Sequence, residues 1–210
     1  TMSKPYVIGV DLGGQTAKFG IVDARGNVLK QTAIRSNTQN NPEEFINDLA
    51  EGIKKLIYKD YSIDEIRGIG VGAPNGNYYT GCIESAANLT WAKNQIVHFA
   101  DMLKEKVGIP VALTNDANAA AVGEMTYGAA RGMKNFIMIT LGTGVGSGIV
   151  INGDVVYGHD GFAGELGHTC AVRNNGRICG CGKTGCLETY ASAMGVARTA
   201  REILELTDRK

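Results

Sequence analysis

Twice in this sequence an apolar run stops at a cluster of glycines and the chain turns back as a hairpin. The first run, Tyr6 to Asp11, enters Gly13-Gly14, and the second, Phe136 to Leu141, enters Gly142-Thr143-Gly144-Val145-Gly146-Ser147-Gly148. A unit of strand, glycine loop and hairpin that recurs constrains the fold more than any single motif. It predicts two similar halves with a cleft between them, the boundary falling near Asn115. Glycine makes up 29 residues against 4 prolines, and it sits between apolar runs rather than among serine and glutamine. That placement belongs to loops that bring backbone close to a ligand, not to low-complexity disorder.

The elements around the two loops follow from local signals. Phe19 to Val22 and Val28 to Thr32 read as strands separated by the turn Asp23 to Asn27, so the chain opens as an antiparallel meander. Asn41-Pro42-Glu43-Glu44 supplies a cap, a proline at the first helical position and early carboxylates. Phe45, Leu49, Ile53, Leu56 and Ile57 follow at helical spacing. Ile66 to Val71 reads as a strand into the loop Gly72 to Gly76, Ile96 to Val107 as a helix, Val111 to Thr114 as a strand and Asp116 to Tyr127 as a helix. Ile149 to Ile151 and Val155 to Tyr157 form a hairpin around Asn152-Gly153. Leu187 to Leu206 reads as one long helix. Nothing after it completes the second half, so the expectation is a truncated chain.

Charge and hydropathy exclude some classes of function. The 21 basic and 21 acidic side chains balance, which removes the basic excess that a nucleic-acid partner would favour. No apolar run is long enough to cross a bilayer. No charged-then-apolar signal precedes the first strand, so a cytoplasmic location is expected. Five cysteines, four of them between Cys170 and Cys186, suit a metal better than a disulfide scaffold spread along a small secreted chain.

Three groups of residues carry chemistry. In Asp11-Leu12-Gly13-Gly14-Gln15-Thr16-Ala17-Lys18, glycines let backbone N–H groups approach an anion, Gln15, Thr16 and Lys18 can donate to phosphate, and Asp11 could hold Mg²⁺ through water. The loop Gly142-Thr143-Gly144 offers the same chemistry, and both also fit ordinary tight hairpins. Neither is a lysine-containing P-loop or a dinucleotide fingerprint, because no Gly-Lys-Ser/Thr occurs and a hairpin rather than a helix follows. Asp116, where a strand hands over to a helix, is either a helix cap or a general base facing the cleft. The most specific group is His168 with Cys179, Cys181 and Cys186. One imidazole and three thiols make a closed tetrahedral zinc site of the structural kind. A chance cluster of reduced core cysteines is the alternative, and a nucleic-acid-reading finger fails for want of a basic recognition helix. Cys170 is a possible competing ligand outside the glycine-cysteine pattern, and Cys82 reads as a small buried apolar residue.

Taken together, Asn115-Asp116, Glu165-x-Gly167-His168 and Cys179-Gly-Cys-Gly-x-x-Gly-Cys186 resemble the ROK family of sugar kinases and repressors, over the chain from Tyr6 onward. The resemblance implies an α/β fold of the actin-like ATPase (ribonuclease H-like) type, two lobes with a central cleft. Residues 1–115 would form the first lobe, and 116–210 an incomplete second lobe. It implies ATP, catalytic Mg²⁺ and structural Zn²⁺, with Asp11, Gly13, Gly14, Gln15, Thr16, Lys18, Gly142, Thr143 and Gly144 on phosphate. Asn88, Asn115, Asp116, Glu165, His168 and Glu188 would contact sugar hydroxyls. Asp116 would take the C6 hydroxyl proton as that oxygen attacks the γ-phosphate. Gln15 departs from the threonine usual at that place, though both donate a hydrogen bond. The adenosine segment would lie beyond residue 210, and a homodimer is usual in the family. Family repressors carry a helix-turn-helix before the first phosphate loop, whereas here the loop begins almost at once, so a kinase is expected. Cys186 to Ser192 looks most like glucokinases, while N-acetylmannosamine, N-acetylglucosamine, allose and fructose remain as other sugars.

Overall fold

The computed structural model describes residues 3–207, which form two compact units that divide between Ala119 and Ala120. The division lies inside a helix (α3, Asp116–Tyr127) rather than at 115/116.

In the first unit, β1 (Tyr6–Leu12), β2 (Thr16–Val22) and β3 (Val28–Arg35) form the antiparallel meander, followed by α1 (Pro42–Ile57) and β4 (Ile66–Gly72). Then come β5 (Gly76–Asn77), β6 (Cys82–Glu84), β7 (Ile96–Val97), α2 (Phe99–Val107) and β8 (Val111–Thr114). The main sheet has the order β3-β2-β1-β4-β8, with β1, β4 and β8 parallel. Helix α1 starts where the sequence says: the Asn41 side chain accepts from the Glu44 N–H, with Pro42 in the first turn. Its apolar stripe, Phe45, Leu49, Ile53, Leu56 and Ile57, is buried. Burial of each such side chain favours the fold by about 1.5–3 kcal/mol. Phe45 also stacks on Trp91 with ring centroids 4.5 Å apart. The expected helix from Ile96 is corrected: Ile96 and Val97 pair with Glu84 and Ile83 in the small sheet β5-β6-β7, and the helix begins at Phe99. Two β-branched residues find a ladder there, and propensity yields to pairing.

In the second unit, β9 (Phe136–Leu141), β10 (Val145–Ile151) and β11 (Asp154–Val155) repeat the opening meander, in the order β11-β10-β9. Asn152 and Gly153, with φ of 54° and 84°, make the mirror-image turn that a two-residue hairpin requires. Gly146 and Gly148 lie within β10, paired with Thr140 and Met138. The second glycine loop is therefore only the turn 142–144, shorter than the sequence suggests. The long C-terminal helix is also corrected. It is a short α4 (Glu188–Ala191) and a separate α5 (Ala193–Thr207), broken where Ser192 adopts an extended ψ of 165°. Ser192 Oγ accepts the Gly195 N–H at 3.1 Å, capping the new helix. Ile137, Ile139 and Leu141 of β9 and Met194, Val196, Ile203, Leu204 and Leu206 of α5 are exposed. The main cluster of buried apolar residues runs from Ile8 to Leu113, in the first unit. Among the described residues, no helix is long and apolar enough to cross a membrane.

Arg177 ties the loop before α4 to both helices. Its side chain is buried and donates to the Thr189 and Gly195 carbonyls (2.7 and 3.0 Å), to Thr199 Oγ1 and to Glu202 Oε2. Its guanidinium also lies 4.5 Å from the Tyr190 ring centroid. The guanidinium hydrogen bond holds Glu202 below the usual carboxylate range. Arg177→Ala would remove four side-chain hydrogen bonds, two of them to backbone carbonyls, and loss of about 2–4 kcal/mol of stability is expected, read by urea denaturation. Because a lowered carboxylate pKa stabilises above the unfolded pKa, the Glu202 share of that loss should fade as pH falls through the folded value.

Candidate active site and metal centre

The first turn is closed by the Gly13 N–H donating to the Thr16 carbonyl at 3.0 Å. Asp11 and Lys18 stand opposite each other in the β1–β2 ladder, both exposed, and Gln15 and Thr16 are exposed at the tip. Gly14 has to be glycine: a Cβ there would lie 2.9 Å from the Asn88 carbonyl oxygen. That close approach brings Asn88, far along the chain, beside the turn. Behind the turn sits Ser36, fully buried. Its Oγ donates to the Gly13 carbonyl, its N–H donates to the Gln15 carbonyl, and its own carbonyl accepts from Trp91 Nε1 at 2.8 Å. The turn is thus pinned to the aromatic core.

Asp11, Gly72 and Thr114 are register partners across β1, β4 and β8. They stand at the carboxyl ends of three parallel strands, the edge where open α/β sheets place ligands. Asn115 and Asp116 follow at once. Asn115 is buried, its Oδ1 accepts the Asn118 N–H at 2.8 Å and its carbonyl accepts the Ala119 N–H. Asn115 is therefore the cap of α3, and Asp116 is the first helical residue, with an exposed side chain. Buried Asn118 donates to Thr114 Oγ1 while its Oδ1 has no donor.

In the second unit the turn 142–144 is held by the Gly142 N–H on the Gly144 carbonyl and by the Ala193 N–H on the Gly142 carbonyl. Glu188 reaches into it: Oε2 accepts the Val145 N–H at 2.9 Å, and a Cβ on Gly144 would lie 2.5 Å from that oxygen. Thr143, Glu188, Ser192, Arg198 and Arg201 line a cavity of about 580 Å³ beside the turn. Glu165 is carried by a bend whose next N–H, that of Leu166, donates to Ser147 Oγ of β10. Partial desolvation pushes the Glu165 carboxyl up, His168 opposes this, and the negative charge of Glu188 adds to it.

His168, Cys179, Cys181 and Cys186 converge, with all four donor atoms within 4.8 Å of one another. Cys179 Sγ is 3.6 Å from His168 Nδ1, and Cys181 Sγ is 3.7 Å from Cys186 Sγ. A tetrahedral zinc centre of ordinary bond lengths has edges of roughly 3.6 Å between nitrogen and sulfur and roughly 3.8 Å between sulfurs. The donor set therefore fits zinc in size as well as in chemistry, with Nδ1 as the imidazole ligand. The Lys183 backbone N–H holds the Cys181 thiol down at about 7, whereas burial pushes Cys186 up to about 11. The cluster accepts a first negative charge readily and resists the next, and a divalent cation relieves that resistance.

Asp11, Gly13, Gly14, Gln15, Thr16, Lys18 and Asn88 come together at the first turn, with Asn115 and Asp116 at the neighbouring strand end. Gly142, Thr143, Gly144 and Glu188 meet at the second turn, and Glu165 and His168 belong to the same unit. Ser36, Asn118 and Arg177 were missed. Only Asn118 left a trace in the sequence, three residues after a strand-end asparagine.

The family model described as ROK family matches residues 7–210. A glucokinase of Halalkalibacterium halodurans is 43% identical over 203 residues, covering 96% of this chain and 61% of that protein. The xylose repressor of Bacillus subtilis is 31% identical over 198 residues, covering 92% of this chain and 50% of that protein. A solved ROK family glucokinase from Streptomyces griseus, in complex with glucose and AMPPNP, superposes with a TM-score of 0.77 at 33% identity. That superposition covers 97% of this chain and 62% of the other. The chain thus spans less than two thirds of the length of each of these three relatives.

Proposed function

This chain belongs to the ROK family and has its actin-like ATPase fold, and from that premise we propose that it is the sugar- and phosphate-binding part of an ATP-dependent hexose kinase. Its substrate is glucose and its product glucose 6-phosphate. The observation that carries the reading is position. Asp116 follows Thr114 and the capping Asn115 at the carboxyl ends of the parallel strands β1, β4 and β8, the edge where open α/β sheets place ligands, and its carboxylate is read as the base. Asp116 accepts the proton of the C6 hydroxyl as that oxygen attacks the γ-phosphate. Asn88, Asn115, Glu165, His168 and Glu188 bind the ring hydroxyls, and the turns at 13–16 and 142–144 bind phosphate oxygens through backbone N–H groups. Lys18 supplies positive charge.

Phosphoryl transfer needs positioning and charge stabilisation more than covalent help from the protein. Asp11 would hold Mg²⁺, and that ion would supply neutralisation of phosphate charge. Zinc would be held by His168 Nδ1, Cys179, Cys181 and Cys186. Ligation through Nδ1 fixes the imidazole and leaves Nε2 as the ring atom that meets a sugar oxygen.

The test is a panel of glucose, N-acetylmannosamine, N-acetylglucosamine, allose and fructose with ATP, read by ADP release from the intact protein. Glucose should give the highest kcat/KM. A higher value for another hexose would replace the substrate and keep the chemistry, whereas ADP release with none would remove the kinase reading.

A further inference from the structure

Cys170 lies outside the ligand set but stands directly across from one of its members. Cys170 and Cys186 form an isolated antiparallel bridge. The Ala171 N–H donates to the Gly185 carbonyl at 2.8 Å and the Leu187 N–H donates to the Thr169 carbonyl at 2.9 Å. These two bonds flank the pair, so Cys170 and Cys186 occupy a non-hydrogen-bonded site of the ladder. Residues so placed have Cα atoms about 4.5 Å apart with side chains on the same face. That separation falls inside the range disulfides occupy, roughly 4.4–6.8 Å. The two thiols differ in access: Cys170 is exposed and Cys186 is 1% exposed within the metal cluster. All five cysteines are reduced thiols in this structure.

We propose that Cys170 is an oxidant-sensing thiol that forms a disulfide with Cys186 and thereby withdraws Cys186 from the metal. The inference rests on the zinc reading for its consequence, though not for the bond itself. The oxidant class is a peroxide. Exposed Cys170 attacks one peroxide oxygen, the O–O bond breaks, water leaves with the thiol proton, and Cys170 becomes a sulfenic acid. The sulfur of Cys186 then attacks the Cys170 sulfur, the S–O bond breaks, and the leaving hydroxide becomes water by taking the Cys186 proton, or a solvent proton where Cys186 is a metal-bound thiolate. Two thiols are oxidised by two electrons in all, and one hydrogen peroxide is reduced to two waters. A zinc ion left with His168, Cys179 and Cys181 has lost one of its four ligands and is released more easily. A thiol reductant reverses the bond and restores the site.

The test uses zinc-loaded intact protein, with zinc counted by elemental analysis before hydrogen peroxide is added. Peptide mapping without reductant should then find the peptide containing Cys170 joined to that containing Cys186, lighter by about 2 Da than the two thiols. Zinc release, followed with a chromogenic chelator, should accompany the linkage and be reversed by reductant and added zinc. Cys170→Ser should bind zinc as the parent does and release it several-fold more slowly under peroxide. Linkages confined to Cys179, Cys181 and Cys186 would overturn the proposal, and so would equal zinc release from the variant. If the untreated protein holds no zinc, the metal reading fails, and the linkage map still decides for or against the Cys170–Cys186 bond.

Discussion

Replacing Asp116 with asparagine is expected to lower kcat by about 10²–10⁴ while sugar affinity stays within about twofold, because the amide keeps the shape and loses the basicity. The structure sharpens this test. A carboxylate at a strand-to-helix junction is usually a cap, and asparagine caps as well as aspartate. Here the cap is Asn115, through its bond to the Asn118 N–H. Asp116→Asn therefore leaves the cap in place and removes a first-turn charge, which costs the helix about 0.3–1 kcal/mol. Folding should survive and turnover should not. Calorimetric sugar binding beside a coupled assay for ADP separates the two quantities. Near-normal turnover would show that Asp116 is not the base.

The second large effect is expected from the metal. Purified without added metal, the protein should carry one zinc per chain, and a strong chelator should lower its melting temperature by on the order of 10 °C or more. Arg177 anchors the base of the segment from His168 to Leu187 to α4 and α5, and the metal would hold the tip that carries the cysteines. Cys181, Lys183 and Thr184 are exposed, and the Cys179 N–H donates to the Lys183 carbonyl across a tight loop. Cys179→Ser should reproduce the chelator effect without chelator. A folded, sugar-binding protein of unchanged melting temperature and no zinc would contradict the assignment. Loss of sugar affinity should accompany loss of metal, because Nδ1 ligation fixes the ring of His168.

The sequence revealed what is encoded locally. The stripe Phe45 to Ile57, the cap at Asn41, the turn at Asn152-Gly153 and the glycine-spaced cysteines each announce themselves within a few residues, because period, turn chemistry and ligand spacing are short-range. The errors lie where a distant partner decides. Ile96 and Val97 became a strand because β6 was there to pair with. The run after Leu187 broke at Ser192 because the Ala193 N–H found the Gly142 carbonyl. Gly146 and Gly148 joined β10 because β9 lay alongside. Ser36 and Arg177 carry no signal at all, since their importance comes from partners such as Gly13, Trp91 and Glu202 that only the fold assembles. Glu188 was read as a sugar ligand; its bond to the Val145 N–H, which also joins it to the glycine turn, was invisible for the same reason.

The two halves of the chemistry differ in how far apart their parts lie along the chain. The metal donors fall between His168 and Cys186, whereas the row at the sheet edge needs Asp11, Gly72 and Thr114 brought together from β1, β4 and β8. Closing a short loop forfeits less chain entropy than closing a long one, and contacts near in sequence form sooner. The cysteine loop can therefore capture its ion as soon as that stretch of chain is free, without waiting for a sheet. The proposed catalytic edge exists only when the parallel pairings of β1 with β4 and β4 with β8 are complete. On the proposed reading, the metal loop should thus be formed before the edge that would bind the sugar.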